Sequence, residues 1–251
     1  METRESSSGF PTRPAHMPGG VRLWRIDLRA HSVGAEDLCT AAERSRADRF
    51  VFAADRTRFL AARGALRRLL GQYLGLQPNR VHLVVGPRGK PALAEAAGLH
   101  FNLSHCKDEA LIAISFAGEV GVDIELMRPL PDALDLARRF FAPDEVAALE
   151  CAEPSRSADE FLRCWTRKEA CLKATGLGLA LDTRSFSVGA GRSPRRVQLI
   201  AGDVRIGLSL QSVDFDGAVT VLAAVAVVGD RDFSLGFENA PFGRVPELSA
   251  Q

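Results

Sequence analysis

The chain has 251 residues, 46% of them hydrophobic and 25% charged, with a formal net charge of +1. That is enough chain for one large domain or two packed halves of ordinary globular composition. The near-neutral balance argues against a broad electrostatic nucleic-acid binder, and no apolar run reaches the roughly 18 residues a membrane span needs.

In chain order, residues 1–20 carry Ser, Pro, Gly and Arg without the apolar centre of a secretory signal, so they are expected to be disordered. Alternation predicts a strand over Val21–Leu28. Helices follow over Ala35–Asp48 and Ala54–Leu74; the longer has Phe59, Leu66, Leu69, Leu70 and Tyr73 on an apolar side and Gly75 at its stop. Strands are expected at Val81–Val85, Leu99–His105, Ala110–Phe116 and Val120–Leu126. The pattern then restarts. Asp132–Phe141, Pro143–Cys151 and Ala158–Thr175 read as helices, with Pro143 at a first helical position and Gly176 as a stop. Strands near Ser185–Gly189, Arg196–Ile200, Val204–Val213 and Ala218–Val228 complete it, and residues 241–251 form a flexible tail. The class is α+β, in an N-terminal half over 21–127 and a C-terminal half over 128–240.

The five cysteines, Cys39, Cys106, Cys151, Cys164 and Cys171, form no CxxC pair and are odd in number, as expected for reduced thiols in a cytoplasm. Lysine is rare: Lys90, Lys107, Lys168 and Lys173 are the four, and arginine supplies every other fixed cation of the side chains. Three of the four lysines lie in the blocks that follow, so those positions are expected to need a compact ammonium rather than a planar guanidinium.

Residues two apart in a strand share a face, so Asp123 and Glu125 point the same way while Val122 and Ile124 point into packing. On the last helix, Leu162, Trp165, Glu169 and Leu172 fall on one stripe, which puts an acid on an apolar face where it needs a partner. Two readings are open. Asp123, Glu125 and Glu169 could share a metal ion, which an all-oxygen set makes Mg²⁺ with Mn²⁺ as the alternative. Otherwise Asp123 and Glu125 are acids of a solvated edge strand, and Glu169 pairs with Lys173 at i+4. Magnesium completes its shell with waters and phosphate oxygens, so the first reading implies a phosphate-bearing substrate. Gly86–Pro91 lacks P-loop spacing, since Pro91 stands where Ser or Thr should be, but Lys90 can still present an ammonium. Ser104 and His105, at the end of a strand, can both bond a phosphate oxygen.

Together, GKP at 89–91, FNLSH at 101–105, GVDIE at 121–125, RFFAPDE at 139–145 and WTRKEACLKATGLGL at 165–179 closely resemble the 4′-phosphopantetheinyl transferases of the Sfp type. The likeness runs over roughly residues 21–190. It implies two similar α+β halves forming a pseudo-dimer within one chain, with coenzyme A in the cleft between them and no need of a second subunit, hence a monomer. It implies Asp123, Glu125 and Glu169 as magnesium ligands. It implies Lys90, Ser104, His105, Lys168 and Lys173 on the coenzyme A phosphates, with Arg44 and Arg58, and less directly Arg63, at the 3′-phosphate and adenine end. The implied reaction moves the phosphopantetheine arm to a serine of an acyl or peptidyl carrier domain of a polyketide, nonribosomal peptide or fatty acid synthase, releasing 3′,5′-ADP. Asp123, Glu169 and Lys173 would be its catalytic groups, with Glu169 accepting the serine proton directly or through a water. Arg128, Arg138 and Arg139 would steer an acidic carrier. The rival expectations are a coenzyme A-binding protein without activity and a Mg²⁺-dependent phosphohydrolase.

Overall fold

The computed structural model describes residues 20–95, 98–216 and 220–239. The expected loose ends lie outside them, apart from Gly20. Strand β1 (Gly20–Asp27) is followed by α1 (Ala41–Ala47), α2 (Ala53–Leu74), a short hairpin of β2 (Leu83–Val85) and β3 (Pro91–Leu93), then β4 (His100–Cys106), β5 (Glu109–Ser115) and β6 (Val120–Leu126). After these come α3 (Ala133–Phe140), α4 (Pro143–Glu150), α5 (Ser157–Thr175), β7 (Arg195–Ala201), β8 (Val204–Phe215), β9 (Val221–Val228) and β10 (Ser234–Asn239).

Two four-stranded sheets result, ordered β10-β1-β5-β4 and β6-β9-β8-β7. Pairing is antiparallel throughout except between β1 and β10. Strand alternation sets the layers. Val21, Leu23, Leu111 and Ala113 of the first sheet pack against Val122, Ile124, Val225 and Val227 of the second. Trp24, Ile26, Ile112 and Phe101 turn the other way onto Leu66, Leu69 and Leu70 of α2. Leu208, Leu222 and Ala224 turn onto Phe161, Leu162 and Leu172 of α5. Burial of each large side chain in these clusters contributes about 1.5–3 kcal/mol.

Strand pairing corrects the expected boundary near residue 127. β6 hydrogen-bonds to β9 over Val120↔Val227 to Leu126↔Val221 and so belongs to the second sheet, while β10 returns to the first beside β1. The expected helix over Ala35–Asp48 is interrupted because Thr40 starts a new one. Its Oγ1 accepts the Glu43 N–H at 3.2 Å while Glu43 Oε2 accepts the Thr40 N–H at 2.9 Å. The expected strand at Ser185–Gly189 is absent, since the Val188 and Gly189 amides donate to Glu145 Oε1 at 2.6 and 3.0 Å instead of to a neighbouring strand. Gly75 and Gly176 end α2 and α5 in the left-handed conformation, at φ 67° and 66°.

One glycine decides how closely α5 approaches β6. A Cβ on Gly121 would stand 2.1 Å from the Ala170 oxygen and 2.2 Å from the Ala174 nitrogen. Gly121→Ala must push strand and helix apart. It is expected to cost at least ~1–3 kcal/mol, read as a lowered Tm in calorimetry, with activity lost alongside.

Candidate active site

β4 and β6 lie side by side at the seam of the two sheets, joined through side chains. Asn102 Oδ1 accepts the Val122 N–H at 2.9 Å, and Ser104 Oγ donates to Asp123 Oδ1 at 2.8 Å. Asp123 and Glu125 point toward α5, on the same face as Gly121. From α5, Lys173 Nζ reaches Asp123 Oδ1 at 2.5 Å and Ser104 Oγ at 2.9 Å. Glu125 Oε2 accepts from Arg128 at 2.7 Å and from the Cys106 thiol at 3.4 Å. The i, i+4 pair of Glu169 with Lys173 does not form; the lysine crosses to β6.

The electrostatics tie these groups together. Burial pushes the Asp123 carboxyl above the ordinary aspartate range, against the pull of Lys173 and Ser104. Glu169 is also raised, first by burial, then by the charge of Asp123, with Lys173 opposing and Glu125 adding to the rise. Glu169 has no hydrogen bond or ion pair among the described residues. His105 is lowered, by burial first and then by Lys173 and Arg58, with Arg63 adding to the fall and Asp55 opposing it. Cations from α2 and α5 therefore converge on the end of β4.

A cleft of about 240 Å³ opens on this site, lined by Lys90, Pro91, Leu103, Glu169, Lys173 and Gly176 among others. The acids about it are all oxygen donors, and Glu169 is half-buried with no hydrogen bond or ion pair among the described residues, so the donor set fits a hard divalent cation. The three acids are not already arranged as a metal cage among the described residues. Lys173 and Arg128 hold Asp123 and Glu125 separately.

Half-buried Glu169, without a hydrogen bond or ion pair among the described residues, yields a test. Its raised value means that ionisation costs stability. The penalty is absent below the unfolded value of about 4.5 and fully present once pH has risen through the folded one. Glu169→Gln is therefore expected to raise Tm at pH 7 in chelated buffer, with the gain vanishing toward pH 4 in a calorimetric pH series.

Comparison with known proteins is consistent with this geometry. The family model for the 4′-phosphopantetheinyl transferase superfamily matches residues 119–219, and that for the N-terminal part of 4′-phosphopantetheinyl transferases matches residues 27–117. The chain is 43% identical to the 4′-phosphopantetheinyl transferase HetI of Nostoc over 166 residues, 64% of this chain and 70% of that one. It is 34% identical to a 4′-phosphopantetheinyl transferase of Bacillus subtilis over 164 residues, 64% of this chain and 72% of that one. The chain belongs to the 4′-phosphopantetheinyl transferase superfamily.

Among the residues expected to serve a transferase of this kind, Glu169 and Lys173 line the cleft, Ser104 and Asp123 are hydrogen-bonded to Lys173, and the charges of Glu125 and His105 couple to the same group. Lys168 requires a correction. It is 0% exposed, and Nζ is taken up by Glu145 Oε2 at 2.7 Å and the carbonyls of Thr183 and Phe186 at 2.7 and 2.6 Å. An ammonium has three protons, so this lysine cannot also reach a phosphate. Lys90 lines the cleft but is bonded within the protein. Arg58 is held at the site by Asp108 at 2.8 Å and Asp55 at 3.0 Å. Arg44 bonds the Cys39 carbonyl at 2.6 Å and is not among the leading charges that act on His105. Arg138 pairs with Asp135 and Glu150, and Arg139 lies over the Phe140 ring. The sequence reading missed Asp108, Glu119 and Arg128 as partners. Asp108 and Glu119 are loop acids outside any helical or strand periodicity, whereas Arg128 stands at i+3 from Glu125 and could have been paired with it.

Proposed function

We propose that the protein transfers the 4′-phosphopantetheine arm of coenzyme A to a serine of an acyl or peptidyl carrier domain, releasing 3′,5′-ADP. The observation that carries this is the meeting of Asp123 and Glu125 from β6 with Glu169 and Lys173 from α5 beside Ser104 and His105, in a chain of this superfamily. The carriers would be those of polyketide, nonribosomal peptide or fatty acid synthases, and the enzyme would work in the cytoplasm as a monomer. Asp123, Glu125 and Glu169 would hold Mg²⁺, or Mn²⁺ in its place, which when bound offsets charge on the diphosphate.

The chain's own groups do the rest. Lys173 donates to diphosphate oxygens, where charge builds as the phosphoryl group moves, and Ser104 joins it by turning its one hydroxyl proton from Asp123 to a phosphate oxygen. His105 on β4, Arg58 on α2 and, farther off, Arg44 on α1 would face the remaining phosphate. The carrier serine oxygen attacks the phosphorus that bears pantetheine, and the bond from that phosphorus to the bridging oxygen breaks toward 3′,5′-ADP. The serine proton would pass to Glu169, directly or through a water held between them. The test is intact-protein mass spectrometry of an apo carrier incubated with enzyme, coenzyme A and Mg²⁺. A gain of about 340 Da, the mass of the transferred arm, is expected. An unmodified carrier with coenzyme A consumed would mean a phosphohydrolase; with coenzyme A bound and intact, a binding protein.

A further inference from the structure

Lys90 is engaged inside the protein by acceptors on three segments. Its Nζ donates to Glu119 Oε2 at 2.5 Å in the β5–β6 link, to the Val120 carbonyl at 3.1 Å at the start of β6, and to the Ala174 carbonyl at 2.7 Å in the last turn of α5. All three ammonium protons are committed. The other Glu119 oxygen stands 3.0 Å from His100 Nδ1 at the start of β4. Carbonyls in the last turn of a helix lack intrahelical partners, and the helix end is negative, so the lysine caps α5. The lysine stem runs past Gly176, where a Cβ would stand 3.5 Å from its Cδ.

The position of this clasp matters. It grips β6 and α5 where their backbones touch, next to Gly121. Two residues further along β6, Asp123 meets Lys173. The spacing of β6 and α5 at the clasp therefore governs the spacing of Asp123 and Glu125 from Glu169 and Lys173. The clasp also fixes the turn Gly86–Pro91, one wall of the cleft.

We propose that Glu119 is a positioning residue of the transfer reaction: by holding Lys90 across β6 and α5 it sets the distance between the two elements that carry the substrate-binding groups. This rests on the reading of the cleft as the coenzyme A site. The competing idea is that Glu119 merely occupies Lys90 until a phosphate displaces it. Geometry favours positioning. Two of the three acceptors are main-chain carbonyls, which carry no charge a phosphate could replace, and withdrawal of the lysine would uncap α5.

The test uses Glu119→Ala and Glu119→Gln in the full chain. Glu119 is half exposed, so both variants are expected to fold, with Tm within a few degrees of wild type. Coenzyme A binding by calorimetry is expected to weaken about tenfold in the Ala variant and less in the Gln variant, the scale of losing a group that orients a ligand-bearing one. The kcat at saturating coenzyme A should fall as well, because the same spacing sets Glu169 and Lys173 against Asp123, and a fall in both with Tm nearly unmoved is a pattern that general loss of stability would not give. Amide exchange over residues 86–91 and 172–176 should quicken. Tighter coenzyme A binding would overturn the proposal in favour of competition for Lys90, and unchanged binding would overturn it as well. If wild type itself takes up no coenzyme A, the reading of the cleft fails. Quickened exchange would then show that the clasp exists with no substrate to position, and the positioning role would fall with the cleft.

Discussion

Lys168→Met is expected to lower Tm by about 10 °C while leaving coenzyme A affinity unchanged wherever the variant is still folded. The lysine lies wholly inside the second half, with its ammonium on Glu145 Oε2 and two carbonyls and 4.4 Å from the Phe186 ring centre. Methionine fills similar volume but leaves three acceptors without their donor. Breaking a buried pair in this way costs ~3–5 kcal/mol, because one partner stays behind uncompensated. Here part of the cost is offset, since Glu145 keeps the amides of Ala142, Val188 and Gly189. The affected segment is the loop at 183–189 that closes over α4 and α5. Calorimetric Tm and coenzyme A titration, run on the same preparation, separate the two roles. Weaker coenzyme A binding at unchanged Tm would mean that this ammonium reaches a phosphate after all, contrary to its burial.

The burial of Lys168 was legible in the spacing of its neighbours. Phe161, Cys164, Lys168 and Cys171 are separated by three, four and three residues, so the lysine sits on an apolar stripe of α5 as surely as Glu169 sits on the adjoining one. The resemblance to a transferase motif assigns both lysines of the block to one task and so masks this stripe. The strand face of Asp123 and Glu125 followed from alternation alone, and so did the helix stops at Gly75 and Gly176. Sheet membership did not. β6 alternates equally well for either sheet, and its partner β9 lies about a hundred residues away. β10 pairs with β1 from the far end of the chain, a contact no local pattern encodes. The same limit explains the partners of Lys90 and Arg58. Glu119 and Asp108 are acids in connecting segments whose importance arises only when the two sheets are stacked.

Asp123→Asn is expected to reduce carrier loading by about 10²–10³-fold with little change in Tm. The residue is 5% exposed, and its side chain is the point at which β4, β6 and α5 meet, through Ser104, the strand itself and Lys173. Asparagine keeps the shape and still accepts from Ser104. What it removes is the charge that draws Lys173 across from α5 and that would help hold a divalent cation. Stability should be nearly indifferent for opposing reasons. Burial makes the ionised carboxylate costly and raises its pKa, so a neutral side chain there avoids that penalty. Lys173 loses its partner but keeps 29% of its side-chain surface in solvent, where its ammonium can be hydrated. The expected signature is thus a folded protein with an unmoved melting curve and an almost unmodified carrier in the mass spectrum. Loading within about threefold of wild type would show that neither the charge on β6 nor a cation bound to it stabilises the transferring phosphoryl group. The positively charged end of β4 and α2 would then have to account for the reaction alone.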